Sequence, residues 1–258
     1  GDRVCKDEDS GVSHLDESRI QMAMEALKKK IDLEYFYDTS TKIESISSGS
    51  IALDYALGNG GWPRGRISQL YGPQSAGKST LALHLIANAQ KQGEAALYID
   101  GEYAFDPRYA KALGVKVEQP HLILYQPTTA EEAFQIVDTF LRFEAVGVVV
   151  IDSIASLIPE ARLKADYDQQ DIGLLARFLS ASLPKIAQLA HQSNAVILCI
   201  NQVRDKITHG YGGGKTVPGG NALGFYSSVI AEIKRVDKVE DSNKRVRAIR
   251  SRDRKSVV

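Results

Sequence analysis

Gly72-Pro73-Gln74-Ser75-Ala76-Gly77-Lys78-Ser79 fits the pattern G-x-x-x-x-G-K-[ST], a loop whose residue types are those needed to hold the phosphates of a nucleotide. The glycines let successive backbone N–H groups converge on an anion. Lys78 is long enough to reach the terminal phosphates, and the Ser79 hydroxyl is a hard ligand for Mg2+ where the next helix begins. The flanks fit the same reading. Arg66 to Tyr71 reads as a short buried strand, and Thr80 to Gln90 is rich in Leu and Ala without Pro or Gly, as a helix requires. A turn that only joined a strand to a helix would need neither the lysine nor the serine.

Downstream of this loop the pattern repeats as apolar run, loop, helix. The runs Ala95–Asp100, His121–Tyr125, Gly147–Asp152 and Ala195–Asn201 are continuous and apolar, which is the signature of strands covered on both faces. Pro107–Leu113, Thr129–Phe143 and Ile172–His191 read as helices between them. The expectation is an α/β fold with a mostly parallel central sheet flanked by helices. Pro184 lies inside the last helix and predicts a kink or break there.

The chain has 258 residues, enough for one large core with appendages. Residues 1–15 are polar and read as a disordered or leader segment. Asp16 to Lys30 puts Ile20, Met24 and Leu27 on one face of an amphipathic helix behind a candidate N-cap at Asp16. Such a face suits either packing on the chain's own core or contact with a neighbouring subunit; residues 16–45 read as a helix and linker, an oligomerisation element in the second case, and 46–258 as the core.

Lys plus Arg and Asp plus Glu balance at 32 each, so no global field selects a nucleic-acid or membrane partner. With only Cys5 and Cys199, a disulfide framework and a cysteine-based zinc site are excluded. His14, His84, His121, His191 and His209 share no ligand spacing. No apolar run approaches the roughly 20 residues of a membrane span, so the expectation is no membrane partner and a reducing, cytoplasmic setting.

The chemistry-bearing residues cluster at strand ends. Asp152 closes the run Val148 to Ile151, where a P-loop enzyme places the carboxylate that supports Mg2+; a helix cap is the plainer role for an Asp there. Asp100 and Glu102 follow the neighbouring strand, and either is chemically able to polarise an attacking water, with Glu102 favoured by its place on the loop. Asn201-Gln202 end a further strand, offering a neutral amide. Two long loops, Pro159–Gln170 and Arg204–Gly220, the latter with six glycines, follow strands at the expected ligand edge. A basic tail, Lys244 to Lys255, reads either as a solvated strand or as a phosphate-facing edge.

Taken in order, Gly49 to Asp54, Tyr71-Gly72-Pro73 leading into the P-loop, Asp100-Gly101-Glu102, Asp106-Pro107-Arg108-Tyr109-Ala110, Asn201-Gln202-Val203-Arg204 and Gly219-Gly220-Asn221-Ala222-Leu223 resemble the motifs of bacterial RecA recombinases. The resemblance runs from about Asp16 to Arg252. It implies a P-loop NTPase of RecA type with an N-terminal helix, a DNA-dependent ATPase that forms a helical homo-oligomeric filament on single-stranded DNA and pairs it with homologous double-stranded DNA in repair. The cofactors implied are ATP and Mg2+.

Carried over residue by residue, the resemblance assigns Lys78, Ser79 and Thr80 to the phosphates and Mg2+, Asp152 to support of the metal, Glu102 to water activation, and Gln202 to sensing of the γ-phosphate. Asp106 and Tyr109 would hold the adenine, Tyr109 by stacking. Ile172 and Ile207 would wedge between nucleotide triplets, with Arg177, Ser180, Arg204, Gly219 and Gly220 near the DNA backbone. Arg250 and Arg252 stand where the family has lysines that reach the neighbour's ATP.

The chain departs from the family at Pro184, usually a basic DNA contact, and at Gly224, usually Lys, beside the interface position Phe225. It departs again at Gly101, usually Ala, and at Tyr103, usually His or Asn. It also stops near the end of the ATPase core, so the family's small C-terminal domain is expected to be absent. These departures leave open an alternative, a RecA-like ATP-binding filament or regulatory module without strand exchange. A hexameric helicase or clock-type ATPase fits less well with the Asp106–Tyr109 and Gly219–Leu223 motifs.

Overall fold

The computed structural model describes residues 18, 22, 23, 25, 26, 43–164, 173–202, 204–205, 215–216, 221–240 and 246–256. The chain divides into two units, Gly1–Lys42 and Ile43–Val258. In the first, Ser18, Met22, Ala23, Glu25 and Ala26 are helical and exposed, and the remainder of the helix expected over 16–30 lies outside the described residues.

The second unit opens with β1 (Ser45–Ile46), α1 (Ile51–Leu57) and β2 (Trp62–Pro63), then β3 (Arg66–Gly72) and α2 (Lys78–Lys91). There follow β4 (Ala96–Asp100), α3 (Pro107–Ala112), β5 (Leu122–Tyr125), α4 (Ala130–Arg142) and β6 (Val148–Asp152). After a 3-10 turn at Ile154–Ser156 come α5 (Glu160–Lys164), α6 (Leu174–Ser193), β7 (Val196–Gln202), β8 (Arg204–Asp205), β9 (Lys215–Thr216), α7 (Ala222–Tyr226), β10 (Ser227–Glu240) and β11 (Val246–Ser256).

Seven strands form one sheet in the order β11-β10-β3-β7-β6-β4-β5. The six from β10 to β5 are parallel, and β11 pairs antiparallel with β10. The apolar runs are continuous because alternate side chains enter different cores. Val148 and Val150 join Leu70, Leu83 and Ile86 on the α2 side. Val149 and Ile151 join Phe134, Val137, Leu179 and Leu183 on the side covered by α4 and α6. Buried Phe134, Val137 and Leu141 recur along α4, and Leu179, Leu183, Ile186 and Ala190 along α6, at the three-to-four-residue spacing of a covered helix face. Thr129 caps α4 by accepting the Glu132 N–H at 3.0 Å.

Three expectations change. Helix α6 runs through Pro184 unbroken. Pro184 and Ser180, whose carbonyl loses its i+4 donor to the proline, are both exposed, so water can take over that carbonyl and the helix tolerates the ring. The Pro159–Gln170 loop contains the short helix α5, which buries nothing and so leaves no apolar signal. Within Arg204–Gly220, β8 and β9 pair antiparallel, Arg204 opposite Thr216. The basic tail is a strand of the main sheet, part of the β10–β11 hairpin.

Candidate functional site

A parallel sheet brings the C-terminal ends of its strands to one edge. In β3, β7, β6 and β4 the pairs Leu70–Ile200, Ile151–Cys199 and Asp100–Asp152 are in register. Everything immediately after those positions therefore converges: the loop 72–79 after β3, Gln202 at the end of β7, Ser153 after β6 and Glu102 after β4.

The loop after β3 turns into α2 through Gly77, whose φ of 98° is a left-handed conformation that glycine adopts without a Cβ penalty. Lys78 is buried and donates to the loop's own carbonyls, Gly72 O at 3.1 Å and Pro73 O at 2.8 Å. Burial lowers its pKa from the ordinary lysine value, against an upward pull from Asp152 and Glu102.

The Ser79 hydroxyl donates to Asp152 Oδ2 at 2.7 Å, and the Tyr98 hydroxyl donates to the same oxygen at 2.7 Å. Burial raises the Asp152 pKa; the two hydroxyl donors oppose this, while Glu102 and Asp100 add to it. Tyr98 is pushed up by burial and then by the Asp152 carboxylate. A serine hydroxyl beside a buried carboxylate, ringed by further acids, is a hard-oxygen donor set suited to Mg2+. Among the described residues no group of three or more His, Cys, Asp and Glu is placed to hold a metal ion, so this pair would need phosphate oxygens and water to complete a coordination shell.

The two carboxylates after β4 have different environments. Asp100 is 2% exposed and accepts from Ala104 N, Phe105 N and the Gln126 amide at 3.0 to 3.2 Å, so its lone pairs tie down its own loop. Glu102 is exposed and accepts at Oε1 from Ser153 Oγ at 2.7 Å and from Gln202 Nε2 at 2.6 Å. It is the carboxylate open to a substrate water.

Along the same edge, Asp106 caps α3 by accepting from Arg108 N at 2.8 Å and Tyr109 N at 3.3 Å. This sets Tyr109, 46% exposed, with its hydroxyl 2.9 Å from Thr80 Oγ1 at the start of α2. An exposed ring beside the phosphate loop is a platform for a flat base.

The residues assigned to DNA are only partly covered. Arg177 and Ser180 are exposed, one turn apart on α6. Arg204 opens β8, close behind Gln202. Ile172, Ile207, Gly219 and Gly220 lie outside the described residues. Arg250 and Arg252 sit in β11, opposite Asp237 and Lys234. Since Glu232 of β10 lies opposite Tyr71 of β3, this part of the hairpin flanks the phosphate loop. Phe225 on α7 is 82% exposed.

The sequence reading missed Tyr98 and the bond from Ser153 to Glu102. Tyr98 stands two residues before Asp100, on the same face of β4, which is the only signal it carries. Nothing in the sequence marks Ser153 as a donor across to another strand, since its partner Glu102 lies 51 residues away.

The family model of the RecA N-terminal domain matches residues 19–258. The chain belongs to the RecA family. It is 42% identical to Protein RecA of Acholeplasma laidlawii over 240 residues, covering 90% of this chain and 72% of that protein. It is 45% identical to Protein RecA of Chlorobaculum parvum over 228 residues, covering 86% and 65%. Against Protein RecA of Rhodospirillum rubrum the identity is 50% over 199 residues, covering 77% and 54%. Among solved structures, the RadB recombinase superposes with a TM-score of 0.56 at 27% identity, covering 75% of this chain and 84% of that one. The chain spans about two thirds of the length of most of the curated relatives it matches, the part that carries the P-loop core. No helix among the described residues is long and apolar enough to cross a membrane.

Proposed function

We propose that this chain hydrolyses ATP, with Mg2+, as the core of a filament on single-stranded DNA, and that it pairs that strand with a homologous duplex. The observation that carries the reading is the bond of Glu102 to Gln202, formed at the edge that also gathers Lys78, Ser79 and Asp152. It joins a carboxylate able to take a proton from water to a neutral amide at the head of the 204–220 loop. A γ-phosphate can therefore be felt at both ends of the bond.

In this reading the loop N–H groups of 74–78 and the Lys78 ammonium hold the β- and γ-phosphates. Ser79 and Asp152 would hold Mg2+, which when bound would supply neutralisation of the charge that develops on the phosphate oxygens. Glu102 orients the attacking water and accepts its proton. Tyr109 stacks on the adenine, Asp106 fixing the ring's position through its cap. Gln202 turns from Glu102 to the γ-phosphate, which draws on the loop behind it. Arg250 and Arg252 complete the neighbouring subunit's site, so hydrolysis depends on assembly. Arg177, Ser180 and Arg204 grip DNA phosphates, with Ile172 and Ile207 wedging between bases, which suits binding without sequence preference.

The test is the steady-state ATPase rate of the purified chain with and without single-stranded DNA, beside electron microscopy with DNA and a nonhydrolysable ATP analogue. Stimulation together with a regular filament is the expected result. An ATPase indifferent to DNA would remove the mechanism.

A further inference from the structure

A general base must stay within hydrogen-bond reach of the water it serves, yet Glu102 is a three-torsion side chain on an exposed loop. One of its two donors, Gln202, is given another partner by the reading above. The other, Ser153, is fully buried at the end of β6 and donates to Oε1 at 2.7 Å. Both donors address Oε1, so the lone pairs of Oε2 are left for a water proton. Ser153 is itself held: Ser156 Oγ donates to Ser153 O at 2.7 Å and accepts from Ser153 N at 3.3 Å. A Cβ at Gly101, the residue before Glu102, would lie 2.6 Å from Ser156 Oγ. The absence of a side chain at Gly101 is what leaves room for this hydroxyl.

Resting on the reading of Glu102 as the base, we propose that Ser153, braced by Ser156 in the space left by Gly101, is a positioning residue that holds Glu102 in its catalytic pose after Gln202 has turned away. An alanine side chain at 101 would push the Ser156 hydroxyl off Ser153 and so act as removal of that hydroxyl does. The role is kinetic. Ser153 touches no nucleotide group in this scheme, so its loss slows the chemical step and spares binding.

The experiment is DNA-stimulated ATPase kinetics of Ser153→Ala, Ser156→Ala, Gly101→Ala, the Gly101→Ala/Ser156→Ala pair, Glu102→Gln, and Ser153→Ala within Glu102→Gln. Ser153→Ala is expected to lower kcat by about tenfold with KM within about twofold, and to slow Glu102→Gln by less than about twofold, because a residue acting through Glu102 has nothing left to position. Ser156→Ala and Gly101→Ala should each lower kcat by about threefold, and the pair no further than either alone. If Ser153→Ala fails to fold, the brace variants carry the test. Wild-type kcat in Ser153→Ala, or in both brace variants, overturns the proposal. So does a full tenfold loss on adding Ser153→Ala to Glu102→Gln. Undiminished turnover in Glu102→Gln would instead remove the base assignment itself.

Discussion

The side-chain amide of Gln202 donates to Oε1 of Glu102 at 2.6 Å, joining the last residue of β7 to the loop after β4 across 100 positions of sequence. In a parallel sheet such a bond is possible only because both strands end at the same edge, two strands apart through β6. If this amide reports the γ-phosphate, Gln202→Ala loses the report and keeps the site. The DNA-stimulated rate should then fall at least about tenfold, toward the unstimulated one, with nucleotide affinity within a few fold of wild type. ATPase assays with and without DNA, paired with nucleotide titration, check this. An equal loss of stimulated and basal rates would make Gln202 an ordinary site residue.

Asp100 and Glu102 should separate cleanly into stability and chemistry. Asp100 is buried with three donors on its carboxylate, so Asp100→Asn puts an amide N–H where an acceptor is needed and should cost about 1–3 kcal/mol of stability. Glu102 is exposed; Glu102→Gln should leave the melting temperature close to wild type and slow hydrolysis by at least about tenfold. Thermal unfolding beside kcat for the two variants decides it. A melting loss in Glu102→Gln as large as that in Asp100→Asn would contradict the division.

That division also marks how far the sequence could be read. The strands β4, β6 and β7 were legible because they are covered on both faces and so are almost wholly apolar, whereas β3, with Ser68 and Gln69 buried in it, was legible from the phosphate loop that follows it. β10 was missed although Val229, Ala231 and Ile233 are buried and Ser228 is exposed, since its alternation offers no run to notice. The P-loop was legible as a local motif, as was Asp152 by its place at a strand end. Glu102 is favoured over Asp100 by its place on the loop, but what separates their environments, donors from residues 104, 105, 126, 153 and 202, is scattered along the sequence. Cross-strand register, such as Asp100 opposite Asp152, is a product of the assembled sheet and is written in no single segment.

Burial of Lys78 has a measurable consequence in alkaline solution. Its pKa is lowered in the folded chain from the ordinary value of 10.5. Below the lowered value both states hold the proton, and the cost of burying the ammonium is present in full. Between the lowered value and 10.5 the unfolded chain holds more protons than the folded one, so stability contributed by this group rises with pH across that window. Lys78→Met removes the titration. Denaturant unfolding without nucleotide, from about pH 7 to about pH 10.5, should therefore show wild type gaining on the variant as pH rises. A constant difference would mean that the lysine keeps its ordinary value. The same variant should not turn over ATP.

Arg177 and Ser180 face solvent one turn apart on α6, ahead of Pro184. If this face of α6 meets the DNA backbone as proposed, the Arg177 guanidinium supplies a phosphate contact there. Each phosphate contact on a single strand adds about 0.7 to the slope of log K against log salt concentration, because binding releases condensed counterions. Arg177→Ala should therefore weaken binding to a homopolymer and to a mixed-sequence oligonucleotide by the same factor. It should also flatten the salt slope by about 0.7 between about 50 and 200 mM salt. Fluorescence anisotropy with a nonhydrolysable ATP analogue measures both. A loss confined to one sequence would point to contact with bases, and an unchanged slope would place the guanidinium away from the phosphates.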